Sequence, residues 1–550
     1  MKNKRKSLLK ITFWVLPMTL LVMAAAIKPE NNKQFEISKN LEIFANLYKE
    51  LNTYYVDDLD PGKVMRVGME SMVGSLDPFT NYIAESDIEG YRLRTSGKYF
   101  GIGAQSQLMN DYVTITRLYK DQPADKAGLK VGDQILAVDG NDAKGKTPEE
   151  LDFVLQGFPN TDVLITVKRP GVKKPIDIRL VRGEVSRENV PYSGMIGDDD
   201  IIYVALSTFT RNAGKNVSDA LRDLRLEHPD AKGVVLDLRE NGGGLLVEAV
   251  NLSNVFIPKN EMVVTTKGKV KEWDREFRTM NSIVEEEMPL VVLINKNSAS
   301  ASEIVSGVMQ DYDRGVLVGQ RSYGKGLVQN TKQIGYNSQL KMTTAKYYIP
   351  SGRCIQSVRY EDGEPVDIPD EERARFKTKN GRTVLDGGGV APDVYVERKA
   401  DHPVIKSLEK EHLIFDFVTE YYTDASQVPS VEELRFTDYD AFLSFLQERA
   451  FRFQTKSEKL LQQLEAEAEK EGYELGKATE NLATQIKSEQ QKILMEYKEV
   501  ITDLIEKEVA ARYYYEEGRV RLGLRNDAEV KEAVQLLNDR ARYDKILQGK

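Results

Sequence analysis

Cysteine is all but missing: Cys354 is the only one in 550 residues. A single thiol excludes an intrachain disulfide framework, a cysteine zinc site and an iron–sulfur cluster. Histidine is nearly as scarce, with His228, His402 and His412 the only three, never spaced within one helical turn. They read as surface or structural residues rather than metal ligands, and a hydrolase built on this chain needs something other than a histidine triad. A surplus of positive charge is also lacking: 77 Lys+Arg stand against 86 Asp+Glu, a net charge of -9, which argues against a dedicated nucleic-acid binder. Long apolar runs are absent too, apart from one at the N-terminus.

That run, Ile11–Ile27, follows Lys2, Lys4, Arg5, Lys6 and Lys10. A basic segment ahead of an apolar one is the pattern of an export signal, and Ala24-Ala25-Ala26 offers small residues for cleavage after Ala26. An uncleaved anchor is the second reading. Pro17 interrupts the run, which is shorter than the roughly 20 residues of an ordinary spanning helix. No cysteine follows it, so a lipoprotein is not expected. Beyond it, 41% hydrophobic and 30% charged residues are a globular mixture, and at roughly 150 residues per domain the length allows three or four domains. With no cysteine pairs, an exported chain of this kind has to be stabilised by packing.

Residues 35–75 place Leu41, Phe44, Leu47, Tyr48 and Leu51 on one helical stripe, broken at Pro61-Gly62, with a second helix over Lys63–Val73. From about 97 to 183 the pattern becomes short strands and glycine turns, with helical stretches at 123–128 and 147–156: a small, mostly β domain. From 200 to 360, IIYVAL, AKGVVLDL and PLVVLINK alternate with helices at 211–226, 246–255 and 300–312, an α/β layer arrangement. Residues 382–396 close this domain with another glycine turn. After about 401 the chain is charged and helical. The apolar spacing of Leu460, Leu461, Leu464, Ala466 and Ala468 slips too soon for heptads, so packed helices are expected rather than a long coiled coil.

Four stretches carry chemistry. NSASASE (297–303) sits where a strand gives way to a helix, so Ser300 can be held at a helix N-terminus beside amides able to meet a developing oxyanion. Taken alone, capping is the commoner use of such small residues. YGKGLVQ (323–329) sets Lys325 between glycines. If the flank is a strand, Lys325, Leu327 and Gln329 face one side, and Gln329 can orient the amine. A lysine acts as a general base only when neutral, a form that burial favours, and Glu303 is the one nearby acid able to hold it charged. Its bland alternative is a solvated lysine on a turn; GxxxxGK[ST] is absent, which makes nucleotide binding a weak reading. The turn DLRENGGGLL (237–246) follows a strand and can present amides as an anion nest, or be a plain turn. YFGIG (99–103) precedes a strand, where free amides can hold a terminal carboxylate while the strand edge pairs with an extended peptide.

These motifs, in this order over about residues 37 to 396, resemble the carboxy-terminal processing proteases, or tail-specific proteases, a serine peptidase family with a Ser–Lys dyad. The entry segment LYKELNTYYVDDLD, the unit QPADKAGLKVGDQILAVDG, and the runs GQRSYGKGLVQ and AKYYIPSGRCIQ share in the resemblance. It implies Ser300 as nucleophile, Lys325 as general base and Gln329 as its orienter. Oxyanion donors come from Gly243, Gly244 and Ala301, and Phe100, Gly101, Ile102 and Gly103 meet the substrate carboxylate. It implies a multidomain α/β fold: a mixed ClpP/crotonase-like protease core with an inserted PDZ-like β domain, N-terminal helices and a helical C-terminal extension. The corresponding segments are a signal or anchor at 1–27, helices at 35–90, the PDZ-like domain at 91–184, the core at 185–400 and the extension at 401–550. The expected chemistry is acyl transfer with no metal or cofactor. Partners are proteins with accessible C-termini, with a homodimer through the N-terminal helices and an adaptor on the C-terminal helices as further expectations, and no nucleic acid. The expected place is the bacterial periplasm, free or held at the inner membrane by residues 11–27. The rival readings are a non-catalytic peptide-binding scaffold and a latent protease that needs a partner. Cys354 reads as a packing residue, since no base is evident beside it.

Overall fold

The computed structural model describes residues 30–549 apart from 89–90, 92–97, 187, 198–199, 357–359, 362–363, 367–368, 398–401, 423–427, 452 and 454. The basic-apolar leader therefore lies outside the described residues, and among those no helix is long and apolar enough to cross a membrane. The chain divides into two compact units, one ending at Tyr82 and the other running from Ile83 to Lys550.

The first unit contains α1 (Glu30–Tyr54) and α2 (Pro61–Gly74). The expected break at Pro61-Gly62 falls differently: α1 has already stopped at Tyr54, and Pro61 begins α2. Proline suits a first helical position, where its missing N–H costs no hydrogen bond, and the Asp60 carboxylate caps the turn by accepting from the Lys63 amide at 3.1 Å.

In the second unit, β1 (Lys98–Gly101) pairs antiparallel with β7 (Gly183–Ser186). Between them, β2 (Ala104–Met109), β3 (Tyr112–Leu118), β4 (Gln134–Val138), β5 (Asp162–Lys168) and β6 (Ile176–Val181) lie side by side in that order, and α3 (Pro148–Leu155) completes a core around Ile115, Leu129, Ile135 and Ile165. The strands and short helices expected here are present, and β2 is one of the two edge strands, β6 being the other.

Next comes a central sheet. β8 (Tyr192–Ile196) runs antiparallel to β9 (Ile201–Ala205), which is followed by parallel β10 (Gly233–Asp237), β13 (Leu290–Ile294), β14 (Val316–Gly319) and β17 (Val394–Tyr395). Every residue of β9, β10, β13 and β14 is buried, so both faces of the sheet are covered. Helices α4 (Ala213–Glu227), α5 (Leu246–Phe256) and α6 (Ala301–Asp311) pack on the face carrying Ile202, Val204, Val234, Leu236, Val292 and Leu317. Beside this body, β11 (Met262–Gly268) pairs with β12 (Arg275–Arg278) and with β16 (Ser338–Tyr348), which forms a long hairpin with β15 (Leu327–Gly335).

The helical part runs from α7 (Pro403–Lys410), α8 (Leu413–Tyr421), α9 (Tyr439–Glu448), α10 (Lys456–Glu471) and α11 (Gly476–Glu496) to α12 (Lys498–Tyr513), α13 (Tyr515–Gly523), α14 (Ala528–Asn538) and α15 (Arg540–Leu547). The helices pack as expected, around Phe417, Phe442, Ile501 and Val509. α14 and α15 do more: Val530, Ala533, Leu536, Leu537 and Tyr543 cover the second face of the central sheet, against Ile201, Tyr203, Val235, Val291, Leu293 and Val318. The Tyr543 hydroxyl accepts from the Leu290 amide and donates to the Leu290 carbonyl, both at 3.0 Å. Part of the helical extension is thus the third layer of the sheet. His402 has the structural role expected of it: it caps α7 through Nδ1 and stacks on Tyr497 at 4.4 Å.

Candidate active site

In a parallel sheet, chemistry gathers at the carboxyl ends of the strands, where several loops converge. Here β10, β13 and β14 end at Asp237, Ile294 and Gly319, and are followed by the glycine turn, the serine loop and the lysine loop. The expected strand-to-helix switch at Ser300 is present: the residue caps α6 with φ 57° and ψ -112°, a backbone conformation that side-chain-bearing residues rarely adopt and that has to be held by its surroundings.

Glu303, fully buried in the first turn of α6, does the holding. Its Oε2 accepts from the amides of Ser300 and Lys325, both at 2.8 Å, while its Oε1 accepts from the Gly324 amide at 2.7 Å and the Ser322 hydroxyl at 2.6 Å. Burial pushes this carboxyl up, and the Ser322 hydroxyl together with the amides of Lys325, Gly324 and Ser300 pulls against that. Its oxygens are thus taken up in tying the serine loop to the lysine loop. The buried Tyr347 repeats the tie, its hydroxyl reaching the Ser300 carbonyl at 3.1 Å and the Lys325 carbonyl.

The glycine turn is packed against the serine. At Gly243, φ is +94° and a Cβ would lie 2.6 Å from the Ala299 carbonyl oxygen, 2.8 Å from Ser300 Cβ and 2.9 Å from the Ala301 nitrogen, so only glycine fits. The Gly243 amide donates to Asn241 Oδ1 at 2.9 Å, and the Asn241 carbonyl accepts from the Ala299 amide at 3.0 Å and the Ser302 hydroxyl at 2.8 Å. Among the described residues, the amides of Gly244 and Ala301 have no hydrogen-bond acceptor.

Ser300, Ala301, Lys325, Gln329, Gly243 and Gly244 all line one cleft of about 590 Å³. Strict alternation along the lysine flank does not hold, because β15 begins only at Leu327 and its register slips between Val328 and Gln329, a bulge that re-aims the strand. Leu327, Val328 and Gln329 all reach the cleft in consequence, and the Gln329 amide approaches Thr343 Oγ1 at 3.4 Å.

Phe100, Gly101, Ile102 and Gly103 are not part of this cleft. They form the entry to edge strand β2, where the Ile102 carbonyl accepts from Ala124 at 2.7 Å and the Gly103 carbonyl from Tyr119 at 3.1 Å. The amides of Ile102 and Gly103 have no acceptor among the described residues, so this corner offers two donors beside an open strand edge. Burial pushes the Cys354 thiol up, which disfavours the nucleophilic thiolate.

In the sequence Glu303 stands out only as the acid able to hold Lys325 charged, and Tyr347 and Asn241 do not stand out at all. A glutamate three residues after a helix-capping serine was an available signal for the first, since that spacing lets the carboxylate reach the cap amide. Nothing local pointed to Tyr347, which arrives from β16.

Family models for peptidase family S41, for a PDZ domain and for the C-terminal helical domain of probable PDZ-proteases match residues 200–366, 114–169 and 404–537. The chain is 35% identical over 370 residues to a carboxy-terminal-processing protease of Bartonella bacilliformis, covering 66% of this chain and 84% of the relative. A probable CtpA-like serine protease of Staphylococcus aureus strain COL is 32% identical over 376 residues, covering 66% and 73%.

Proposed function

The chain belongs to peptidase family S41, the carboxy-terminal processing proteases, and we propose that its catalytic groups are Ser300 as nucleophile and Lys325 as general base, with Gln329 orienting the lysine. It is a serine-type endopeptidase that recognises substrate C-termini through its PDZ domain. The observation that carries the site assignment is the convergence of Ser300, Lys325, Gln329 and the glycine turn on one cleft. Neutral Lys325 takes the Ser300 proton as Oγ attacks the peptide carbonyl, and the resulting ammonium protonates the leaving amine. Water then enters and gives its proton to the lysine as it attacks the acyl carbonyl, and the ammonium returns that proton to Ser300 Oγ as the acyl group leaves as a carboxylic acid. The Gly244 and Ala301 amides receive the oxyanion. Gly243 contributes close approach, its own amide being engaged by Asn241. The entering tail adds to the edge of β2 with its carboxylate at Phe100–Gly103.

The site at the carboxyl ends of a layered parallel sheet supports a ClpP/crotonase-like core spanning 185–400. This core sits between a PDZ-like domain at 91–184 and helices at 401–550, with N-terminal helices at 35–90. The enzyme works outside the cytoplasm, in the periplasm, with residues 1–27 as signal or anchor. Phe35, Leu41 and Leu47 on α1 are 63%, 65% and 55% exposed, which supports a homodimer through the N-terminal helices. Leu460 on α10 and Leu482 on α11, 55% and 45% exposed, support an adaptor surface there.

Turnover of an unfolded protein with an apolar C-terminal tail tests the assignment. Wild type should cleave it, and folded Ser300→Ala and Lys325→Ala should not. Turnover that survives Ser300→Ala removes the proposed nucleophile, and tail binding without any wild-type turnover favours a scaffold or a latent enzyme.

A further inference from the structure

The roots of the glycine turn and the lysine loop meet on a side chain from the far end of the chain. Arg239, between Asp237 and the glycines, directs Nε to both Asp237 oxygens at 3.0 Å and Nη2 to Asp237 Oδ2 at 2.6 Å. Its Nη1 leaves that pair for α14, donating to Asp527 Oδ2 at 2.7 Å and to Glu529 Oε2. The other Glu529 oxygen accepts from Gln320 Nε2 at 2.6 Å, and Gln320 opens the lysine loop with its amide on the Ile294 carbonyl at 3.0 Å. At Gly319, where φ is +125°, a Cβ would stand 2.1 Å from the Ile294 carbonyl oxygen and 3.3 Å from Glu529 Oε1, so glycine is required by the neighbouring strand and the carboxylate lies close beside it.

On either side of Arg239 the chain is fastened to the serine loop, by a main-chain carbonyl before it and a side-chain carboxylate after it. The Leu238 carbonyl accepts from the Ser298 hydroxyl at 2.8 Å, and the Glu240 carboxylate accepts from Asn295 Nδ2 at 2.7 Å and Asn297 Nδ2 at 2.5 Å. The three loops that form the cleft are thus joined at their roots, and one of the joints is made by α14. Arg239 side chain is 11% exposed and that of Glu529 3%, so this is a desolvated ionic cluster rather than a screened surface pair.

We infer that Asp527 and Glu529 are positioning residues for the Ser300 centre, acting through Arg239 and Gln320 to hold the glycine turn and the lysine loop in register. The C-terminal helices are then a working part of the catalytic centre. Displacing a carboxylate of α14 loosens the turn that presents the Gly244 amide, which weakens transition-state contacts and leaves ground-state tail binding at β2 untouched.

This inference rests on Ser300 and Lys325 as the reacting pair, and the experiment separates the two. Full-length wild type, Ser300→Ala, Asp527→Asn and Glu529→Gln are compared for kcat and KM on a tailed protein, for Kd of a tail peptide, and for Ki of a peptide boronate, which mimics the tetrahedral state. The expected result for Glu529→Gln and Asp527→Asn is a kcat lower by about tenfold or more, as misplaced catalytic groups produce. Boronate affinity should fall in parallel, with KM and tail Kd within about twofold of wild type. Wild-type kcat and boronate Ki in folded variants, whatever the change in Tm, overturn the inference and leave the cluster a purely structural one. Activity in Ser300→Ala instead overturns the reading beneath it. Should Glu529→Gln fail to fold, R239M/E529Q replaces it, because Asp237 keeps the Tyr203 hydroxyl at 2.6 Å and Asp527 keeps the amides of Glu529 and Val530 at 2.9 and 3.1 Å. That double variant is expected to fold with kcat still low; folded with wild-type kcat, it overturns the inference.

Discussion

The two faces of the central sheet are equally dry and differently made. One is covered by α4, α5 and α6, each within about one crossover of the strand it packs on, as short right-handed connections favour. The other is covered by α14 and α15, which follow the last parallel strand, Val394–Tyr395, only after seven intervening helices among the described residues. The near face follows from the alternation of strands and helices. The far face depends on a separate stretch folding and arriving, and that stretch brings Glu529 and Asp527 to the roots of the active-site loops. In this protein a helical extension is part of the sheet it extends from.

The largest effect is expected at the cleft itself. Gly243→Ala should lower kcat on the order of a hundredfold or more, since its Cβ would displace the Ser300 loop; steady-state kinetics on the folded variant measure it. Next come matched deletions in the two covers. Leu252 in α5 and Leu536 in α14 are both fully buried, so Leu252→Ala and Leu536→Ala should each cost about 2–5 kcal/mol by denaturant titration. A negligible cost for Leu536→Ala alone would show that the far face is loosely applied.

Acid gives a smaller, graded effect on the far face. Burial pushes the Asp527 carboxyl up, but Arg239 and the Val530 amide outweigh it and hold it below the usual carboxylate range. With a folded value below the unfolded one, its contribution is complete above about pH 4 and is lost as pH falls through the depressed value. The acid limb of the stability curve should therefore flatten in Asp527→Asn. Smallest of all, Leu41→Ala on exposed α1 should change intrinsic stability by under about 0.5 kcal/mol, while the proposed dimer should dissociate at lower dilution in sedimentation than it does for wild type.

Much of this was legible in the residues. The apolar strands IIYVAL, GVVLD and LVVLI announce a sheet buried on both faces, and Ser300, Lys325 and the glycines stand at loop positions that a parallel sheet gathers at one edge. What was not legible depends on contacts distant in sequence. Five consecutive buried strand residues require two covers, but nothing in the amphipathic spacing of 528–538 says which surface that helix will meet. Likewise the bulge at Val328–Gln329, which brings Gln329 to the cleft, is a property of its pairing with β16 and not of the strand alone.

The most direct measurement is the site of acylation. An activated peptide ester is mixed with the full chain, quenched in acid during turnover, and the protein is digested and mapped by mass. The acyl group should be found on the peptide carrying Ser300 and be absent in Ser300→Ala. An acyl group on another residue, with Ser300 unmodified, would contradict Ser300 as the nucleophile.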